Sequence, residues 1–294
     1  MKVEMEKAGF LKIIFAFLAI VGIIIAVGLG IFFMFYKNYE EEIEFAEEKM
    51  YGPEIMAEQI DFFGKNFVQE YKINGAEFKI YPLDGEKFIW GYFEAYNNGQ
   101  KVYSSEPVYA IFKLLKFECL GSKYIILSEY SGGAHCCFRE YIFWLSEEKA
   151  LKLIKVLPLG NVSIEKESLV LKDGKLYLKI KDDRFAYFYT SYVGTYFFDN
   201  YFLLSKNKLS ERNFDFKEEH TKEAERCEKE LADLSGDKTE YLEEWFPFLI
   251  CRTTNYLLAG REDKAWQGFE EYFDKFRSQL DPLAVKEGII EKMK

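Results

Sequence analysis

The sequence predicts an α+β protein with an N-terminal transmembrane helix, an antiparallel β-rich central domain of sandwich or partial-propeller type, and a C-terminal helical bundle. Three observations carry this reading. Residues 13–36 contain no charged side chain; residues 78–209 are short β-branched and aromatic runs punctuated by turn pairs; residues beyond 213 return to helical periodicity. The implied boundaries are a cytoplasmic tip and anchor over 1–37, a helical stalk over 38–76, a β domain over 77–210 and a helical domain over 211–294.

The apolar stretch is bounded by Lys12 and Lys37, and its 24 residues reach about 36 Å at roughly 1.5 Å per residue, enough to cross a bilayer with some tilt. A cleaved signal peptide would have a shorter apolar region ending in small residues, whereas this one runs into Phe32, Phe33, Met34, Phe35 and Tyr36. An uncleaved anchor is therefore expected. Lys2, Lys7 and Lys12 precede the span, and the acidic run Glu40, Glu41, Glu42, Glu44, Glu47 and Glu48 follows it, so the positive-inside rule places the N-terminus in the cytoplasm and the bulk of the chain outside, periplasmic or at the cell surface. Gly22, Ala26 and Gly30 form one stripe of small residues at spacing four, a surface through which a homodimer can pack.

Residues 38–72 mix charged and apolar positions, with Ile55, Ile60, Phe63, Phe67 and Tyr71 at spacings of three to five, and read as a stalk helix and a second helix broken at Gly52-Pro53. From Phe78 the turn pairs Asp84-Gly85, Asn98-Gly99, Gly121-Ser122, Gly132-Gly133 and Asp173-Gly174 divide the chain into expected strands at 86–95, 108–118, 123–130, 137–145, 150–156, 168–172, 175–181, 186–192 and 196–204. No helical crossovers separate them, which argues for antiparallel pairing. Helices are expected at 218–234, 239–259, 264–280 and 282–293. Cys227 and Cys251 lie on either side of the Ser235-Gly236-Asp237 turn and can meet across the hairpin as a disulfide in an exported protein.

With 39 Lys and Arg against 49 Asp and Glu, a net charge of -10 argues against nucleic acid as a partner, since no basic patch offsets it. Only two histidines are present, and no Gly-rich phosphate loop or spaced zinc motif appears, so a non-catalytic role ranks ahead of an enzymatic one. The densest chemistry lies in Ser131, Gly132, Gly133, Ala134, His135, Cys136 and Cys137. Cys136 and Cys137 can form a strained vicinal disulfide, because consecutive Cα atoms lie about 3.8 Å apart where ordinary disulfides span roughly 4.4 to 6.8 Å. In a simple meander Cys119 sits at the far end of the intervening strand, about 20 Å away, and is expected as a buried thiol. A metal held by His135, Cys136 and Cys137 would need His220 or Cys119 to complete it, and catalysis by His135 with Cys136 would need side chains that an extended chain points apart; neither a metal nor another cofactor is expected.

A second motif follows about fifty residues later: Asp182, Asp183, Arg184, Phe185, Ala186, Tyr187, Phe188, Tyr189, Thr190, Ser191, Tyr192, Val193 and Gly194. Arg184 can hold a neighbouring carboxylate or backbone as a planar fork. Should the two motifs converge, His135, Cys136, Cys137, Asp183, Arg184 and Tyr189 would line a small-ligand pocket walled by aromatic rings. Together the two motifs resemble an uncharacterised family of exported bacterial proteins, over roughly residues 110–210. In that family an Asp-rich, calcium-loop-like turn often precedes the first motif. Here Glu118, Cys119, Leu120, Gly121, Ser122 and Lys123 take its place, which argues against bound calcium. The resemblance implies export and a β domain, and it carries no activity. The reading is thus a membrane-anchored module that binds an envelope protein or small ligand. The alternatives are a surface thiol-redox device using Cys136 and Cys137 and, more weakly, a cell-wall polymer hydrolase.

Overall fold

Four consecutive strands rich in aliphatic and aromatic residues, β6 (Ala110–Cys119), β7 (Ser122–Tyr130), β8 (Phe138–Leu145) and β9 (Leu151–Leu159), form an antiparallel meander, and β1 (Ile55–Asp61) completes the sheet by pairing with β6. Side chains alternate across its two faces, and both faces are buried. Leu114, Ile125, Leu127, Tyr141 and Phe143 meet one neighbour, while Leu115, Phe117, Ile126 and Ile142 meet another. Each such buried ring or branched chain is worth roughly 1.5 to 3 kcal/mol against exposure.

The first neighbour is the meander β2 (Gln69–Ile73), β3 (Ala76–Pro82), β4 (Gly91–Asn97) and β5 (Gln100–Ser104), which contributes Phe78, Ile80 and Phe93. The second is the meander β10 (Leu169–Lys172), β11 (Lys175–Asp182), β12 (Phe198–Ser205) and β13 (Lys208–Glu211), which contributes Leu169, Leu176, Leu178 and Leu204. Three antiparallel sheets are thus stacked with the five-stranded one in the middle. On the outer face of the third sheet, Tyr177 and Tyr201 pack against Phe216, the latter pair stacked with centroids 3.7 Å apart.

Phe216 leads into the helices α1 (Lys217–Asp233), α2 (Leu242–Leu258), α3 (Glu262–Phe276) and α4 (Pro282–Lys292). Their shared core of Trp245, Phe246, Leu249, Phe269, Phe273 and Ile289 also takes in Phe185 and Phe198 from the ends of the β11 to β12 connection. A disulfide joins Cys227 of α1 to Cys251 of α2, with Cα atoms 6.1 Å apart, so the helical hairpin is stapled as the sequence expects. Cys119, 2% exposed, lies between the central and third sheets.

The computed structural model describes residues 55–61, 68–82, 91–107, 110–130, 138–234, 241–276 and 280–294. The expected membrane span, the small-residue stripe of Gly22, Ala26 and Gly30, the first stalk helix, and His135, Cys136 and Cys137 lie outside these residues. Among the described residues no helix is long and apolar enough to cross a membrane.

Two sequence expectations are corrected. The second stalk helix is replaced by strands, because Ile55 and Ala57 pair with Cys119 and Phe117 and pack in the core with them, while Tyr71 and Ile73 alternate with the charged Glu70 and Lys72. Pairing partners distant in sequence override a local spacing of three to five. Residues 186–192 are a succession of turns and bends rather than a strand, and Tyr187 and Tyr189 there adopt left-handed φ values of 58° and 59°.

Candidate functional site

A meander places alternate connections at opposite ends of its strands, and here the two ends differ. At one end the chain reverses through Asn74-Gly75, Asn98-Gly99, Leu120-Gly121 and Asp173-Gly174, each pair with positive φ at both positions, the geometry of type I′ hairpin turns. The other end carries the longer connections, including residues 160–168 between β9 and β10 and 183–197 between β11 and β12, together with the strand ends Tyr130 and Phe138. Connections that depart from a rigid scaffold are where binding residues concentrate.

Buried charge marks the same end. Glu129 and Glu140, both 0% exposed, sit on the stems of the β7 to β8 connection and occupy opposite faces of the central sheet. On the face toward the third sheet, Ser128 Oγ donates to Glu140 Oε2 at 2.6 Å and the Ile164 amide donates to Oε1 at 3.0 Å. Burial pushes the Glu140 carboxyl up to about 7, opposed by those two hydrogen bonds and by the charge of Lys113. Lys113 is itself 1% exposed and pairs with Glu165 at 2.8 Å. On the other face the Tyr141 hydroxyl donates to Glu129 Oε2 at 2.5 Å, and Arg139 Nη1 lies 3.2 Å from Oε1. Burial raises the Glu129 carboxyl as well, against the pull of Tyr141 and Arg139. Carboxylates displaced upward by desolvation are a common mark of functional sites and also occur in structural polar networks.

The second motif reaches this end through Gly160. The Gly160 carbonyl accepts the Phe138 amide at 3.1 Å, and a Cβ built on Gly160 would fall 1.8 Å from Asp183 Oδ2. Only glycine allows that approach, so the Asp183 carboxylate lies against the backbone that is bonded to the residue following Cys137. Burial, and then the charge of Asp182, raise the Asp183 carboxyl. Burial, and then the charge of Asp183, raise the Tyr192 hydroxyl, whose ring lies 5.5 Å from that of Tyr187 and 5.3 Å from that of Phe197.

Arg184 turns elsewhere. Its guanidinium forks onto Asp182, with Nη2 to Oδ2 at 2.7 Å and Nε to Oδ1 at 2.9 Å, and Nη1 donates to the Lys292 carbonyl at 3.2 Å. Lys292 Nζ donates back to the Arg184 carbonyl at 2.5 Å, which locks the start of the segment to α4. Tyr189 packs on Phe246 of α2 with centroids 5.9 Å apart and is 41% exposed. Of the three described candidates, Asp183 therefore faces the β7 to β8 stem, Arg184 anchors the segment, and Tyr189 faces the helices.

Sequence reasoning passed over Glu129, Glu140 and Lys113. A signal existed for the first two, as acidic residues interrupting hydrophobic strands. Among the described residues the one group with metal-like spacing is Glu223, Cys227 and Cys251, and its two sulfurs are bonded to each other, which removes them as ligands.

No family model matches the chain, and no solved structure matches it. A probable thylakoid lumen protein of Synechocystis is 25% identical over 154 residues, which make up 51% of this chain and 44% of that protein. The chain thus matches less than half the length of that relative.

Proposed function

We propose that the protein is a membrane-anchored, extracytoplasmic binding module. In this reading it engages a small ligand or an envelope partner at the end of the stacked sheets that carries the long connections. The observation that carries it is the contact of Asp183 with Gly160, whose carbonyl holds Phe138, because it brings the second motif to the stem of the connection containing the first. Three further features support the location: the Cys227–Cys251 disulfide, which suits an oxidising compartment; the charge asymmetry around residues 13–36; and the similarity to a probable thylakoid lumen protein. Three consecutive meanders packed face to face also suit a partial propeller, whose loops cluster at one end of the blades.

Thermal unfolding of the detergent-solubilised full chain, with and without fractionated envelope components, tests the proposal. At least one fraction should raise Tm for the wild type and fail to do so for Asp183→Ala. Equal shifts for both proteins, or no shift with any fraction, would remove the reading.

A further inference from the structure

α1 carries a histidine where it meets the third sheet. His220 is 2% exposed, its ring edge-on to Tyr201 of β12 with centroids 5.5 Å apart, and its Nδ1 lies 2.9 Å from Oδ1 of Asn255 on α2. The Asn255 carboxamide is oriented by its other end, where Nδ2 donates to the Cys251 carbonyl at 2.9 Å and to the Tyr196 hydroxyl at 3.1 Å. Its Oδ1 is therefore the acceptor, which puts the proton of neutral His220 on Nδ1 and leaves a bare lone pair on Nε2. That Nε2 is buried and has no hydrogen-bond partner among the described residues.

A second proton would enter at Nε2, and the carboxylates that face the ring are already engaged. On β12, Asp199 pairs with Lys179 at 3.2 Å and with Lys181 at 2.8 Å. On α1, Glu219 pairs with Lys172 at 2.9 Å, and Glu223, one turn on, pairs with Arg226 at 2.8 Å. α2 presents the neutral Asn255. An imidazolium here is a desolvated charge with no acceptor for its new N–H, a state that opening to water relieves. Burial accordingly holds His220 below its ordinary value of 6.5. The same hydrogen bonds reach the long connection between β11 and β12. Tyr196 lies at its end, and its hydroxyl accepts from Asn255 and donates to Glu223 Oε1 at 2.9 Å.

We propose that His220 is an acid-sensitive latch: on taking a second proton at Nε2 it parts from Tyr201 and Asn255, releases Tyr196, and loosens the 183–197 connection that carries Asp183. This deepens the binding role proposed above, as the regulation of the same end, and rests on it. The closed state takes up that proton less readily than the open one, so the latch is fully held above the ordinary value and gives way as pH falls through the lowered value of the fold. Glu140, raised by burial, responds to acid in the opposite sense, so acid loosening at this junction is not its doing.

Hydrogen–deuterium exchange of the detergent-solubilised full chain at pH 8 and pH 5, corrected for intrinsic exchange rates, tests the latch. Wild type should lose about threefold or more of its protection at residues 196–201 and 217–224 at the lower pH. His220→Asn keeps a donor near the position of Nδ1 and takes up no proton, so its protection should be equal at the two pH values. The chain has two histidines, so His135→Asn leaves a single histidine resonance, and His220 is titrated by NMR even where its own variant does not fold. That resonance should show the Nδ1–H tautomer and titrate below 6.5. Titration at or above that value, or an equal loss of protection in His220→Asn, overturns the inference. Both measurements use no ligand. If they succeed while no envelope fraction stabilises the chain, the binding role falls and the latch stands; if they fail while stabilisation through Asp183 remains, the latch falls and the binding role stands.

Discussion

At one end of the stacked sheets the chain reverses in two residues at 74–75, 98–99, 120–121 and 173–174, whereas at the other it travels through residues 160–168 and 183–197 before pairing again. Both ends contain left-handed residues, and the kinds of residue differ. Asn74, Asn98 and Asp173 take positive φ at low cost because their short polar side chains suit it, and each is followed by glycine, whereas Leu120, Lys149 and Lys206 at the same end adopt it at higher cost. Tyr187 and Tyr189 take the same backbone at high cost and without a following glycine. The first end is closed by short turns. The second holds buried Glu129 and Glu140, the close approach of Asp183 to Gly160, and exposed aromatic rings, and it relies on the helices to stay in place.

That contrast can be broken experimentally, and the largest effect should come from the support rather than from the site. Replacing both Cys227 and Cys251 with serine opens a link between residues 24 apart, and loop-closure entropy puts the loss at roughly 3 kcal/mol. Denaturant unfolding should show that loss in the helices. A variant with unchanged midpoint would mean the staple is idle.

Glu140 sharpens the comparison through pH. Its folded pKa, about 7, lies above the ordinary carboxylate value of 4.5, so the folded state binds more protons than the unfolded state between those values and stability falls as pH rises through that window. The cost is absent below the ordinary value and full above about 7; it amounts to something on the order of 3 kcal/mol. Glu129, raised in the same direction, adds to the fall. Glu140→Gln should therefore be more stable than wild type at pH 8 and gain little at pH 5. A stability difference that does not change with pH would show that Glu140 stays ionised in the fold.

Gly160→Ala should cost roughly 1 to 3 kcal/mol by overpacking against Asp183. Adding Asp183→Ala should recover most of it, since the two are direct neighbours and their effects are not additive. Full additivity in that double-mutant cycle would deny the contact that unites the motifs. The smallest effect should be at Tyr187, where glycine relieves the left-handed backbone. Tyr187→Gly should be neutral or more stable by about 1 kcal/mol in denaturant unfolding, because glycine adopts the left-handed backbone without strain.

Much of the architecture was legible in the sequence where a signal is local. The turn pairs Asn98-Gly99 and Asp173-Gly174, the alternation of strands β6 to β12, the four helices and the Cys227–Cys251 link all depend on residues near one another or on one short hairpin. What failed depended in part on distant partners, although the Asn74-Gly75 hairpin that joins β2 to β3, and the strand β5 after Asn98-Gly99, were local features not expected as strands. Residues 55–61 become a strand because β6 offers an edge, and no pattern within those residues announces it. Residues 186–192 have the composition of a strand, but Phe185 and Phe188 are drawn into the helical core on the same side, which alternation across a sheet cannot satisfy. The contact of Asp183 with Gly160 joins residues 23 apart through tertiary packing alone, so the site was readable as a set of residue types and not as a place.

Hydrogen–deuterium exchange of the full chain tests most directly whether the two ends differ in role, using the envelope fraction that stabilises it. The account expects ligand-dependent protection in residues 160–165 and 183–192, with residues 118–123 and 173–176 unchanged. Protection confined to the hairpin end, or none at either end, would contradict it.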